Sequence, residues 1–186
     1  MTKVEGLLAA YERFVSLPWA ERVSAEERVW FALYEPREER RLRLRFDAFE
    51  EATVRAGHDW ASCDLTDEFA RWMAAQEYRE SYFESPEDLT DDLLDDFAEH
   101  ASRTLSSVLR RPEAGEKSVV AVLGVGSLFG LLRVSRLLEM VSSEIRGRLL
   151  VFFPGEHDDG SYRLLDARDG WNYLAIPITA QEGEKP

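Results

Sequence analysis

The chain has 186 residues, 45% apolar and 11% aromatic, with a net charge of −13, which predicts a folded domain with a sizeable core. That charge argues against broad electrostatic binding of nucleic acid, because a duplex repels such a chain at long range. Cys63 is the single cysteine, so no internal disulfide is possible and a reducing cytoplasm fits.

The opening residues lack a charged segment followed by an apolar one, and no window approaches the roughly 18 apolar residues of a membrane span. A cytoplasmic protein without membrane attachment is expected. Thr2 and Glu5 have capping-box spacing, and Val4, Leu7, Leu8, Tyr11, Phe14 and Val15 form an apolar stripe, predicting a helix over 3–17. Residues 28–34, aromatic and β-branched, read as a strand stopped at Glu35-Pro36.

A helix is predicted over 37–54, with Arg37, Arg40, Arg41, Arg43 and Arg45 set against Glu38 and Glu39. Arginines at a strand-to-helix junction suit a phosphate, since helix N-termini favour anions. The alternative is a solvated face whose glutamates pair arginines three and four residues away. The absence of any glycine there favours the solvated face. Glu35-Pro36-Arg37-Glu38 lacks the glycines, lysine and Ser/Thr of a P-loop. Direct DNA contact through residues 37–45 is a weaker option.

Gly57 ends that helix, a short strand is expected at 60–65, and Asp64-Leu65-Thr66-Asp67 caps a helix over 67–76. Strand-helix-strand-helix alternation predicts a parallel sheet. His58 near Trp60 and Asp64 admits acid–base chemistry, but a lone histidine after a helix-ending glycine more often caps or lies at the surface. Tyr78, Arg79, Tyr82 and Phe83 either pack over the core or form a partner surface.

Ser85-Pro86-Glu87-Asp88 reads as the start of a helix over 86–110. From Glu84 to Glu99 there are eight acids and no base. A metal reading is weak, because Asp91, Asp92, Asp95 and Asp96 share the outer face and His100 adds only one ligand. A solvated face is the expectation.

The centre of the chain is a βαβ unit. Its first strand, 118–123, is unbroken apolar, as a strand buried on both faces requires. A helix from about 128, with Gly147 placed as its terminating glycine, and a second buried strand, 149–153, closed by Pro154-Gly155, complete it. Two Asp-Gly turns then bracket 161–168, a last strand follows at 173–178, and residues 180–186 form a flexible tail. The fold class expected is α/β over residues 1–179: a mostly parallel central sheet of about five strands flanked by helices, P-loop/Rossmann-like without a working P-loop.

Gly124, Gly126 and Gly130 lie close to a dinucleotide fingerprint. Gly124, Gly126 and Ser127, with Arg37, are therefore the alternative phosphate- or nucleotide-binding set. Against it, bulky Leu128 and Phe129 occupy the turn, no ribose-binding acid closes the strand 149–153, and tight strand-to-helix packing needs glycines equally. Ser127 lacks the flanking glycines of a nucleophile elbow. No catalytic residue, resident cofactor or metal ligand is expected. The polar cluster at the carboxyl edge, with Arg163, Asp166, Arg168, Asp169 and Trp171, suits either Asx-turn packing or an interface anchor.

The blocks Val29-Trp30-Phe31-Ala32-Leu33-Tyr34, Asp64-Leu65-Thr66-Asp67, residues 77–83, residues 123–130, residues 147–156 and above all residues 162–175 resemble the BrxB family. That family is the small component of bacterial BREX phage-defence systems, and the likeness covers nearly the whole chain. The resemblance implies a cytoplasmic member of a multi-protein system that distinguishes host DNA by methylation. Chemistry there is assigned to other members: a methyltransferase, a large ATPase and PglZ, a phosphatase-superfamily protein. It carries no catalytic motif onto this sequence. The expected role is a non-enzymatic adaptor that docks other BREX proteins, PglZ first, and meets DNA only through the complex. Its candidate interface is Tyr78, Arg79, Tyr82, Phe83, Arg163, Asp166, Arg168, Asp169 and Trp171.

Overall fold

The computed structural model describes residues 2–158, 161–165 and 174–180. Five parallel strands, β1 (Val29–Tyr34), β2 (Asp59–Asp64), β3 (Ser118–Leu123), β4 (Arg148–Asp158) and β6 (Ile176–Ile178), lie in the order β2-β3-β4-β1-β6, and β5 (Ser161–Leu164) joins β4 antiparallel. β1 and β3 are buried along their full length, as their uninterrupted apolar runs require in a sheet covered on both faces. β2 forms an edge, and Ala61 and Cys63 are its buried residues. Pro177 sits in the opposite edge strand, β6, where a missing N–H costs little.

Alternation along the strands divides the core in two. Val29, Phe31 and Leu33 of β1 face the same side as Val120, Val122, Leu149, Val151 and Phe153. That side is covered by α4 (Glu68–Ala74), α6 (Asp91–Leu109) and α7 (Val134–Val141). Trp30, Ala32 and Tyr34 face the other side, against α1 (Lys3–Val15), α2 (Glu39–Leu44) and α3 (Phe46–Arg55). Thr2 and Glu5 close the expected capping box on α1, satisfying two backbone donors that the first turn leaves open. Tyr11 on α1 donates to Thr53 Oγ1 on α3 at 2.6 Å, because the Thr53 proton is already given to Phe49 O at 2.8 Å.

Several elements differ from the sequence reading. The helix expected over 37–54 begins as a 3-10 turn at Pro36–Glu38 and breaks at Arg45 between α2 and α3. There Arg45 N bonds Leu42 O at 2.9 Å and Ala48 N bonds Arg45 O at 3.0 Å, a 3-10 pattern that tightens the turn. The strong start at Ser85-Pro86 yields only a 3-10 turn, Pro86–Asp88, and α6 begins at Asp91 after Thr90, which is extended at φ −72° and ψ 164°. Leu89, at ψ 82°, leaves the helical region between them.

The helix expected from 128 to Gly147 spans only Val134–Val141: the 3-10 turn Val125–Leu128 ends at Phe129, ψ 128°, and Gly130 takes φ +76°, a left-handed conformation that no right-handed helix continues through. Pro154-Gly155 does not close β4. Pro154 stays in register with Tyr34, and Gly155 pairs with Leu164 of β5. A further helix, α5 (Arg79–Glu84), was not foreseen.

Candidate functional site

The carboxyl edge of a parallel sheet is where such folds bind ligands, and here polar side chains knit the strand ends together. Tyr34, the last residue of β1, donates to Glu39 on α2, and Arg43 Nε donates to the same carboxylate at 2.7 Å. The Arg43 fork continues to β2, with Nη1 on Asp64 Oδ2 at 2.8 Å and Nη2 on Thr66 Oγ1 at 2.6 Å. Asp64 Oδ1 in turn accepts from Thr66 N at 3.0 Å. Burial alone would push the Asp64 carboxyl up, but hydrogen bonds from Arg43 and Thr66 outweigh it and hold it below the ordinary value.

The candidate phosphate residues sit beside this network. Gly124 has φ +78°, and a Cβ placed on it would lie 2.4 Å from Thr66 Oγ1 and 2.5 Å from Thr66 N. A Cβ on Gly126 would lie 3.2 Å from Pro154 Cγ. The space above both glycines is thus filled by this chain's own Thr66, Asp64 and Pro154. Ser127 is exposed, and its N–H donates to Gly124 O at 3.0 Å. Arg37 is paired with Glu35 and its side chain is 74% exposed. Among the described residues no hydrogen bond or ion pair joins Arg37 to Gly124, Gly126 or Ser127.

His58 and Asp64 are not partners. They stand at opposite ends of β2, about 20 Å apart at roughly 3.3 Å per residue. His58 stacks on Trp19 with centroids 3.7 Å apart and planes at 8°. The Arg148 guanidinium lies 4.8 Å from the centroid of the same Trp19 ring.

His100, a single weak ligand candidate beside the outer-face aspartates, turns instead to a carboxylate the sequence reading did not single out: its Nε2 lies 2.9 Å from Oε2 of Glu68 on α4. Glu68 is 3% exposed and also accepts from Thr104 Oγ1 at 2.9 Å and Arg71 Nη1 at 2.8 Å. Sequence reasoning passed over Glu68, although Leu65, Glu68 and Trp72 share the inward spacing of three and four. Burial pushes the nearby Cys63 thiol up to about 12, with Glu68 and Asp64 adding to it. Asp91, Asp92, Asp95 and Asp96 are exposed, and Asp95 pairs with Arg136 at 2.6 Å. Among the described residues no group of three or more His, Cys, Asp or Glu is placed to hold a metal ion.

Of the candidate interface residues, Tyr78 and Phe83 are 65% and 69% exposed, flanking and lying on α5. Arg79 Nη1 donates to Ala74 O at 3.2 Å, while Tyr82 packs partly buried against the core. Arg163 projects from β5 with its guanidinium 3.7 Å from Asp158. Its neighbour Tyr162 turns inward and donates to Ala175 O, fastening β5 to the approach to β6. Asp166, Arg168, Asp169 and Trp171, the Asp169-Gly170 turn and most of the tail lie outside the described residues.

A family model described as BREX protein BrxB matches residues 63–178, from the end of β2 through β6. The chain belongs to the BrxB family. It is thereby a component of a BREX phage-defence system. No curated protein and no solved structure matches the chain. Among the described residues no helix is long and apolar enough to cross a membrane. The BrxB match includes the acidic helix α6, α5 and both candidate interface groups, and leaves out α1 to α3 and β1.

Proposed function

We propose that this BrxB-family chain is a non-enzymatic, cytoplasmic adaptor that docks other BREX proteins, with PglZ the partner expected first. The observation that carries the reading is the exposure of Tyr78 and Phe83, 65% and 69%. Large aromatic side chains left outside a core this well filled are what an interface uses as desolvated anchors. Arg163, Arg168 and Trp171 are the second proposed anchor group, the arginines to supply paired hydrogen bonds to the partner. The buried free thiol of Cys63 is in keeping with a reducing compartment.

The test is co-purification of tagged chain with PglZ of the same system. Arg168→Ala/Trp171→Ala and Tyr78→Ser/Phe83→Ser should each reduce recovery of PglZ while circular dichroism stays unchanged. Full recovery with both variants removes these surfaces from the adaptor reading. Recovery of no BREX protein by the unaltered chain removes the reading itself.

The alternative, a nucleotide- or phosphate-binding module at Gly124, Gly126, Ser127 and Arg37, draws less support. Thr66 and Pro154 occupy the space over the glycines, and α7 begins only at Val134, so no helix N-terminus opens beside Gly124 to receive an anion.

A further inference from the structure

From residue 74 to residue 96 no residue is buried. Tyr82, Leu89 and Leu93, partly buried, tether this stretch to the core, and α5 itself buries none of its six residues. Helices of globular domains are held mainly by an apolar face laid on something else. Here the remaining aromatics, Tyr78 and Phe83, point outward. The surroundings are as one-sided as the exposure. Of the nine acids from Glu77 to Asp96, Asp95 pairs with Arg136 and the other eight have no ionic partner among the described residues. Arg79 is the one base in the span, and its guanidinium is turned back to the Ala74 carbonyl.

We infer that the exposed surface of residues 77–84, where Tyr78 precedes α5 and Phe83 lies near its end among the unpaired carboxylates of Glu77, Glu80 and Glu84, docks an arginine-rich segment of a partner protein. The inference rests on the adaptor reading and supplies the chemistry of what docks. Guanidinium is the group both features favour: it stacks on an aromatic ring while its N–H fork meets a carboxylate in the plane. An ammonium meets the charge but stacks less well. A second copy of the chain is a poor occupant, since it would bring the same acids to the same face in a molecule of net charge −13. DNA is repelled for the same reason.

The experiment uses the full chain and two fluorescein-labelled peptides of equal charge, octa-arginine and octa-lysine, followed by fluorescence anisotropy at several salt concentrations. Octa-arginine should bind more tightly than octa-lysine. Tyr78→Ser/Phe83→Ser should abolish that preference, and Glu80→Lys/Glu84→Lys should weaken octa-arginine by about tenfold. The control Glu50→Lys/Glu51→Lys, exposed on α3, changes net charge equally and should leave binding near the unaltered value. Equal loss in the control, or an arginine preference that survives removal of both rings, overturns the inference. So does self-association through this face in sedimentation.

Pull-downs of each BREX protein separate the two claims. A partner held equally by the unaltered chain and by Glu80→Lys/Glu84→Lys defeats this docking face and leaves the adaptor standing. No partner at all defeats the adaptor, while the peptide result still decides the chemistry of the face.

Discussion

Arg43 on α2 reaches Asp64 at the end of β2, Nη1 to Oδ2 at 2.8 Å, across two strands that are not neighbours in the sheet. β1 and β2 are separated by β4 and β3, so this guanidinium ties the first crossover helix to the edge strand that follows it. The carboxyl edge is closed by its own side chains at that point.

Replacing Asp64 with Asn should therefore destabilise the fold by about 1 kcal/mol at neutral pH, a charge-assisted bond discounted for partial exposure. The folded carboxyl lies below its ordinary value of 3.8. Its stabilisation is present above that value and is lost as pH falls through the lower folded one. Urea midpoints of the two proteins should differ at pH 7, and the gap should narrow progressively as pH falls below 3.8. A gap that persists at low pH would place the interaction elsewhere.

Glu68 is the acceptor for Arg71, His100 and Thr104 from a position 3% exposed. Glu68→Ala leaves three donors without their acceptor and should cost about 2 kcal/mol, whereas His100→Ala should cost less than about 1 kcal/mol. Denaturant unfolding orders the two. Equal costs would show that His100, rather than the carboxylate, anchors α4 to α6.

Gly124→Ala should lower stability by about 3 kcal/mol, through both the positive φ and collision with Thr66. Gly126→Ala faces only the Pro154 ring at 3.2 Å and should cost under about 1 kcal/mol. Urea midpoints again decide, and similar losses would mean the close approach at Gly124 is absent.

A thermal-shift panel of nucleotides should give no shift, in line with the filled space over Gly124 and Gly126. A nucleotide present at about 100 times its dissociation constant would add about 2.7 kcal/mol, well within detection. A reproducible shift abolished by Arg37→Ala would return the phosphate reading.

The sequence by itself determined what depends on neighbours a few residues away. The apolar runs of β3 and β4 announce strands buried on both faces, the aromatic and β-branched run of β1 announces a strand, their alternation with helical stripes announces a parallel sheet, and Thr2 with Glu5 announces the start of α1. The sequence shows an aromatic, charged stretch at Tyr78, Arg79, Tyr82 and Phe83, but not which of its rings face core and which face solvent.

Only the tertiary structure decided the rest. Glu68 meets His100 across 32 residues and Arg43 meets Asp64 across 21, and nothing local encodes which strands lie side by side. Even the helix ends at Arg45, Leu89 and Gly130 were settled by how each segment must meet the sheet. Short-range pattern fixes the elements because it acts through backbone sterics and periodicity, while pairings between distant residues exist only once strand order has brought them together.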